Sequence, residues 1–231
     1  MEYQWYDTNT TIRKKDRCSC KDAAISTSFR LGCSVLEQRI GYSGYEVTER
    51  QTKLRFKLLQ SGMNILPMMQ EVGENFDDFY KETYRQDNIQ CQKETMSINL
   101  VKGVRYDDGT HFDDTHTTVE TAQFENYAKV KEFLNWFTNT YGGRMYRVAI
   151  VHLGSEKKVY PHIDGGKYYE DKDRFHMVLS GYYDYTVEDE TVRFNAGDLW
   201  WFDNQRMHHA VNATPISRIC IIFDVKGSNF K

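Results

Sequence analysis

Between Tyr146 and Val225 the chain breaks into eight short runs separated by turn residues, and this spacing constrains the fold more than any other feature. The runs are Tyr146–Leu153, Lys158–Ile163, Arg174–Leu179, Tyr182–Val187, Thr191–Phe194, Asp198–Phe202, His208–Asn212 and Arg218–Val225. Between them fall Gly154, Gly165-Gly166, Ser180-Gly181, Glu188-Asp189, Ala196-Gly197, Asp203-Asn204 and Thr214-Pro215, residue types that turn a chain sharply. The runs are too short for helices and read as antiparallel strands. They predict a mainly β fold with flanking helices and a double-stranded β-helix core, a jelly roll of cupin-like form that encloses a small-ligand site between two sheets.

Ahead of Gly142-Gly143 the pattern changes. Gln51 to Met69 has a loosely helical spacing of Leu54, Leu58, Leu59, Ile65 and Leu66, interrupted by Gly62 and checked by Pro67. Phe124 to Tyr141 is a clearer helix, with Phe124, Tyr127, Val130, Phe133, Leu134 and Phe137 on one face and Gly142 as its C-cap. Met96 to Val104 is a candidate strand, and Asp107 to Thr118 an acidic, Thr-rich loop. Residues 1–145 are therefore expected to form a helix and loop extension that packs on the core and shapes substrate entry, and residues 146–231 the jelly roll itself.

Charge and cysteine usage exclude several classes. The formal net charge is −3, with 30 Lys and Arg against 33 Asp and Glu, so bulk charge does not hold this chain to nucleic acid or an anionic membrane. No apolar run is long enough to span a bilayer, and the opening MEYQWYDTNTTIRKK lacks the apolar stretch of a signal peptide. The five cysteines, Cys18, Cys20, Cys33, Cys91 and Cys220, fit neither a disulfide framework nor a zinc ribbon. A soluble chain in a reducing, cytoplasmic setting is expected.

The chemistry is expected at His162, Asp164 and His208. Two imidazoles and one carboxylate on one face of an octahedral ion leave three positions open, the donor set of non-haem Fe(II) oxygenases. The spacing His-x-Asp alone is weak, since His111-Phe112-Asp113 repeats it in a loop and Asp113-Asp114 reads as a solvated acidic run. His208 is distinguished by Arg218, ten residues on across the reversal at Thr214-Pro215, which places the two at similar depth on successive strands. The planar fork of an arginine there suits the far carboxylate of a chelating diacid such as 2-oxoglutarate. Arg174 and His176 share one face of their strand by alternation, either inward to this cavity or outward to solvent. His209 faces away from His208, so only one of the two binds the metal.

From Tyr146 to Val225 the chain resembles the aspartyl/asparaginyl β-hydroxylase family of Fe(II)/2-oxoglutarate dioxygenases. The resemblance rests on AIVHLGS, VYPHID around His162, RFHMVL at Arg174, NAGDLWWFDN, HHAVN from His208 and RICIIFDV at Arg218, in that order. It implies that His162 and His208 bind iron and that Arg174, His176 and Arg218 bind 2-oxoglutarate. It also implies that Asn212 supports the site. His152 matches a family position but is read as a hydrogen-bonded structural histidine, and Trp200 and Trp201, adjacent and so facing oppositely, are expected to divide between the core and the substrate entrance. The animal enzyme of that name has glycine where this chain has Asp164, so this chain resembles the branch with a complete triad. A serine that binds 2-oxoglutarate in that enzyme aligns with Ala149.

The activity so implied is hydroxylation of an amino-acid side chain, in a protein or peptide (an Asp or Asn type residue) or in a free amino acid such as proline. Fe(II), 2-oxoglutarate and O₂ take part, ascorbate serves as reductant, and succinate and CO₂ are released. The acidic balance disfavours a nucleic-acid acceptor. Two other readings remain open: a non-enzymatic cupin-like binding module with core histidines, and a metal-dependent cupin of other chemistry, which has no need of Arg218.

Overall fold

A computed structural model describes residues 54–104 and 114–230. Among these, the elements run β1 (Phe56–Gln60), α1 (Leu66–Glu74), α2 (Tyr84–Asn88), β2 (Thr95–Gly103), β3 (Thr118–Glu120), α3 (Ala128–Tyr141), β4 (Arg144–Leu153) and β5 (Lys158–His162). They continue with β6 (Asp173–Ser180), β7 (Tyr182–Val187), β8 (Glu190–Asn195), β9 (Leu199–Phe202), β10 (His208–Val211) and β11 (Arg218–Lys226). All eight strands expected after Gly143 are present, with ends displaced by at most two residues. Cys18, Cys20, Cys33, His111 and Asp113 lie outside the described residues.

The strands form a seven-stranded sheet, ordered β1-β9-β6-β11-β4-β2-β3, and a four-stranded sheet, ordered β5-β10-β7-β8. From β4 onward the chain winds between the two, with β4, β6, β9 and β11 in one sheet and β5, β7, β8 and β10 in the other. That winding is a double-stranded β-helix. Every pairing is antiparallel.

Alternation along β11 assigns its two faces. Ile219, Ile221, Phe223 and Val225 point to the helix-covered side, in one buried cluster with Phe175, Met177 and the Val130, Phe133, Leu134 and Phe137 stripe of α3. Phe137 is the hinge of that contact, its ring 4.7 Å from Phe175 and 4.9 Å from Phe223. Arg218, Cys220, Ile222 and Asp224 point the other way, into the space between the sheets. That space is walled by Leu153, Val178 and Phe202 from one sheet and Val159, Tyr183, Tyr185, Val187 and Phe194 from the other.

Before Gly143 the structure changes two expectations. Of the stretch read as loosely helical, the described part holds an edge strand, Phe56–Gln60, followed by a turn at Gly62, and the helix begins only at Leu66. Strand pairing prevails because Phe56, opposite Phe202, places its ring edge-on to Tyr185 at 6.3 Å and Phe194 at 5.9 Å. Pro67 starts α1 instead of ending it, since the first turn of a helix needs no N–H from that residue. Secondly, besides the strand expected at Met96–Val104, which is β2 and pairs directly with β4, residues ahead of 146 contribute β1 and β3 to the large sheet.

α3 takes up the expected helix from Ala128 on, the residues Ala122–Asn126 ahead of it forming a 3₁₀ turn, and it stops at Gly142, where φ is +70°. Gly143 follows at φ +87°, and a Cβ there would lie 2.6 Å from Val225 Cγ1 and 2.8 Å from the Lys226 carbonyl. Only glycine lets the chain turn from α3 into β4 against the end of β11. No helix among the described residues is long and apolar enough to cross a membrane.

Candidate metal centre

Strand register brings the two histidines together. His162, the last residue of β5, is the direct partner of His208, the first residue of β10, and their rings lie 4.2 Å apart. Each Nδ1–H donates to a backbone carbonyl two residues back, Tyr160 for His162 and Arg206 for His208, both at 2.8 Å. The proton is thereby fixed on Nδ1 and the Nε2 lone pair is left for a metal. Asp164 enters from the loop after β5. Its Oδ1 is 3.7 Å from His162 Nε2 and its Oδ2 3.8 Å from His208 Nε2. The three side chains offer donor atoms all within 4.8 Å of one another.

The electrostatics keep His208 and Asp164 in their metal-binding forms. Burial lowers the His208 pKa to about 4, with His162 and Arg174 adding to the effect and Asp164 opposing it. Burial alone would raise the Asp164 carboxyl, but Arg174 first, then His208, His162 and Asn204, hold it below the usual carboxylate range. Neutral imidazoles and an ionised carboxylate are what a divalent ion requires. The donor set therefore fits the metal that the sequence implied.

Arg174 faces inward, to a more specific environment than alternation foretold. Its Nε and Nη2 form a fork on Asp224 at 2.8 and 3.0 Å, and its Nη1 holds Asp164 Oδ2 at 2.6 Å. Asp224, 1% exposed, also accepts from Tyr168 Oη at 3.0 Å. Asn204 adds a second bond to Asp164, Nδ2 to Oδ2 at 3.0 Å. All three guanidinium nitrogens of Arg174 are thus engaged by the protein, the remaining contact being Nη2 to Tyr169 Oη at 3.3 Å. The structure makes it the clamp on the carboxylate donor.

Arg218 differs. It is 1% exposed, the largest fully buried side chain among the described residues, and its Nε and Nη1 have no hydrogen-bond partner. Its guanidinium lies 4.1 Å from the centre of the Tyr183 ring and makes no ion pair among the described residues. A buried cation left this way costs several kcal/mol. The arrangement asks for an anion. Ser97 on β2, which shares Val151 as a strand neighbour with Cys220, is 2% exposed and its Oγ is likewise unpartnered. Ala149, paired with Asn99 and Ile222, packs with Val151, Cys220 and Ile222 and brings no hydroxyl to this face.

The remaining expected residues separate by role. His176 is buried in the same interior, with Nδ1 3.1 Å from Tyr183 Oη and its ring edge-on to Phe202 at 4.9 Å. Burial, reinforced by Arg218, holds its pKa well below 6.5 and the ring neutral. Asn212 braces the reversal between β10 and β11: its Nδ2 donates to the Leu153, Gly154 and Ile216 carbonyls, and its Oδ1 accepts from Thr214. His152 was expected to be hydrogen-bonded, yet its ring packs on Phe76 at 6.0 Å and Phe79 at 5.6 Å and makes no hydrogen bond among the described residues. His209 pairs with Thr186 and points away from the triad. Trp201 is buried and Trp200 stacks on Phe194 at 4.7 Å. Asp224, Asn204 and Tyr169 escaped the sequence reading. Only Asp224 carried a signal there, being in step with Arg218 along β11.

Fold and site together define a double-stranded β-helix protein with a His, Asp, His group suited to a metal. The family model described as Aspartyl/Asparaginyl beta-hydroxylase matches residues 74–227, and the chain belongs to that family. The match begins well ahead of Tyr146, where the resemblance was legible, and takes in α2 and β2. Among solved structures the chain is similar to a predicted oxalate decarboxylase from Thermotoga maritima, at 17% identity over 42% of this chain and 73% of that one, TM-score 0.31. It is also similar to a cupin 2 conserved barrel domain protein from Salinispora arenicola (12%, 35% and 63%, TM-score 0.29). KdgF from Halomonas gives 24% identity over 35% of this chain and 69% of that one, TM-score 0.29. No curated protein matches the sequence.

Proposed function

We propose that this chain is an Fe(II)- and 2-oxoglutarate-dependent hydroxylase acting on a C–H of an amino-acid side chain, in a peptide or protein or in a free amino acid. The observation that carries this reading is Arg218, a buried guanidinium with two unpartnered nitrogens, on the sheet opposite the one that carries His162 and His208. A binding module has no reason to keep such a charge, and a cupin of other metal chemistry has no use for it.

His162, Asp164 and His208 would hold the iron. When bound, that group supplies oxidation of a C–H bond by O₂, coupled to decarboxylation of 2-oxoglutarate to succinate. Arg218 receives the carboxylate remote from the metal, and the charge-assisted fork both aligns the diacid and neutralises the buried cation. Arg174 keeps Asp164 ionised and aimed at the metal, and Asp224 in turn keeps Arg174 in place. Its expected direct contact with 2-oxoglutarate becomes a supporting one in this reading. His176, neutral and bonded to Tyr183 Oη, lines the co-substrate space without adding charge. The apolar walls Val159, Tyr185 and Phe202 exclude water from the reacting centre.

The test is turnover of labelled 2-oxoglutarate by the purified chain with Fe(II) and ascorbate, followed by a mass-spectrometric search for an acceptor carrying one added oxygen. Succinate formation that disappears in His162→Ala is the expected result. Equal turnover in that variant overturns the reading.

A further inference from the structure

The loop that carries Asp164 returns to support it. Residues 163–172 join β5 to β6, with Asp164 near the start and two buried tyrosines, Tyr168 and Tyr169, further on. Their rings stand perpendicular, 4.8 Å apart. Each hydroxyl meets one member of the ion pair behind the metal donors: Tyr169 Oη accepts from Arg174 Nη2 at 3.3 Å, and Tyr168 Oη donates to Asp224 Oδ2 at 3.0 Å. A ring of hydrogen bonds is thereby closed through the loop's own backbone, from Asp164 to Arg174, from Arg174 to Asp224, and from Asp224 to Tyr168.

Tyr168 is held from several sides. It is fully buried, and its Oη accepts the Arg147 backbone N–H at 3.1 Å, which leaves the hydroxyl proton to point at Asp224. Burial, then the charge of Asp224, raises its pKa, so that proton is not lost. Outside the ring of hydrogen bonds, the buried Lys172 fixes the same residue. Its Nζ donates to the Tyr168 carbonyl at 2.8 Å, lies 4.3 Å from the centre of the Tyr168 ring, and reaches His116 Nδ1, just ahead of β3, at 2.9 Å. Asp224 Oδ2 is shared between the Tyr168 hydroxyl and Arg174 Nη2, so the hydroxyl sets the angle at which the carboxylate meets the guanidinium. The guanidinium is a rigid plane, and any turn at its Nε and Nη2 edge is passed to Nη1, which holds Asp164 Oδ2 at 2.6 Å.

We propose that Tyr168 is a positioning residue of the metal centre, acting through Asp224 and Arg174 to keep the Asp164 carboxylate aimed at the metal. That role rests on His162, Asp164 and His208 being the metal donors. It ties the carboxylate donor to its own loop and, through Lys172 and His116, to the residues that lead into β3.

The test is a double-mutant cycle read by metal affinity, with Zn(II) titrated into the full chain in competition with a chromophoric chelator. Tyr168→Phe removes one hydroxyl and keeps the ring, and should weaken Zn(II) binding about tenfold. In an Asp164→Ala background, where the carboxylate to be aimed is gone, the same substitution should change the affinity by less than about twofold. A residue that merely stabilises the loop weakens binding equally in both backgrounds; that result, or no loss in either, overturns the assignment. Should Tyr168→Phe fail to fold, Lys172→Met, which frees the tyrosine from outside the ring of hydrogen bonds, takes its place in the cycle with the same expectation. The wild type and His162→Ala are titrated first. If the wild type binds no Zn(II), or His162→Ala binds it as tightly, the metal centre itself is refuted and the role of Tyr168 falls with it; if His162→Ala binds more weakly and Tyr168→Phe does not, only the role of Tyr168 falls.

Discussion

The two faces of the large sheet differ in what they ask of the same strands. On β11, residues 219, 221, 223 and 225 enter an apolar cluster under α3, while 218, 220, 222 and 224 alternate with them and face the other sheet. The first face is close-packed and electrically silent. The second holds Arg218, Asp224, Arg174 and His176 in an interior where each charge is either clamped or waiting for a partner. One strand thus separates stability from chemistry by parity alone, and substitutions on the two faces should produce opposite signatures.

The largest effect is expected on the helix face. Phe223→Ala removes a fully buried ring that meets Phe133, Phe137 and Phe175, and should cost roughly 3–5 kcal/mol, read as a lower denaturant midpoint with unchanged slope. On the interior face the sign reverses. Arg218→Met should leave the melting temperature of the ligand-free protein level or raised, because an unpaired buried charge is gone, while weakening 2-oxoglutarate binding roughly a hundredfold. A drop in stability like that of Phe223→Ala would refute the division between the two faces.

Smaller effects probe the interior face further. Asp224→Asn should loosen Arg174 and, through it, Asp164, lowering metal affinity about 10–100-fold in a competition titration while both histidines stay in register. The mildest test is pH. His176 titrates at 6.5 in the unfolded chain and well below that when folded, so below pH 6.5 the unfolded state takes up the extra proton. Stability should therefore fall on acidification, by up to about 1.4 kcal/mol per pH unit, and His176→Phe should flatten that slope in metal-free protein.

Parity also governs which features the amino-acid sequence reveals. The eight strands, the triad and Arg218 were legible because each depends on local sequence: a turn residue, a His-x-Asp step, or a hairpin of fixed length braced at Asn212. The clamp was not. Arg174 and Asp224 lie 50 residues apart and meet only because β6 and β11 pair with those two residues opposite each other. Alternation placed Arg174 and His176 on one face but could not say whether that face was inward. β1 was hidden for a related reason: its pairing with β9 outweighs a weak helical spacing, and no signal within the segment records its partner.

The alignment of His162 with His208 across β5 and β10 makes the centre dependent on how two ribbons are zipped. Adding or deleting one residue within Lys158–Pro161 would advance that zipper by half a pleat and throw an imidazole to the opposite side. Every donor would still be in the chain, and the metal would have nowhere to sit.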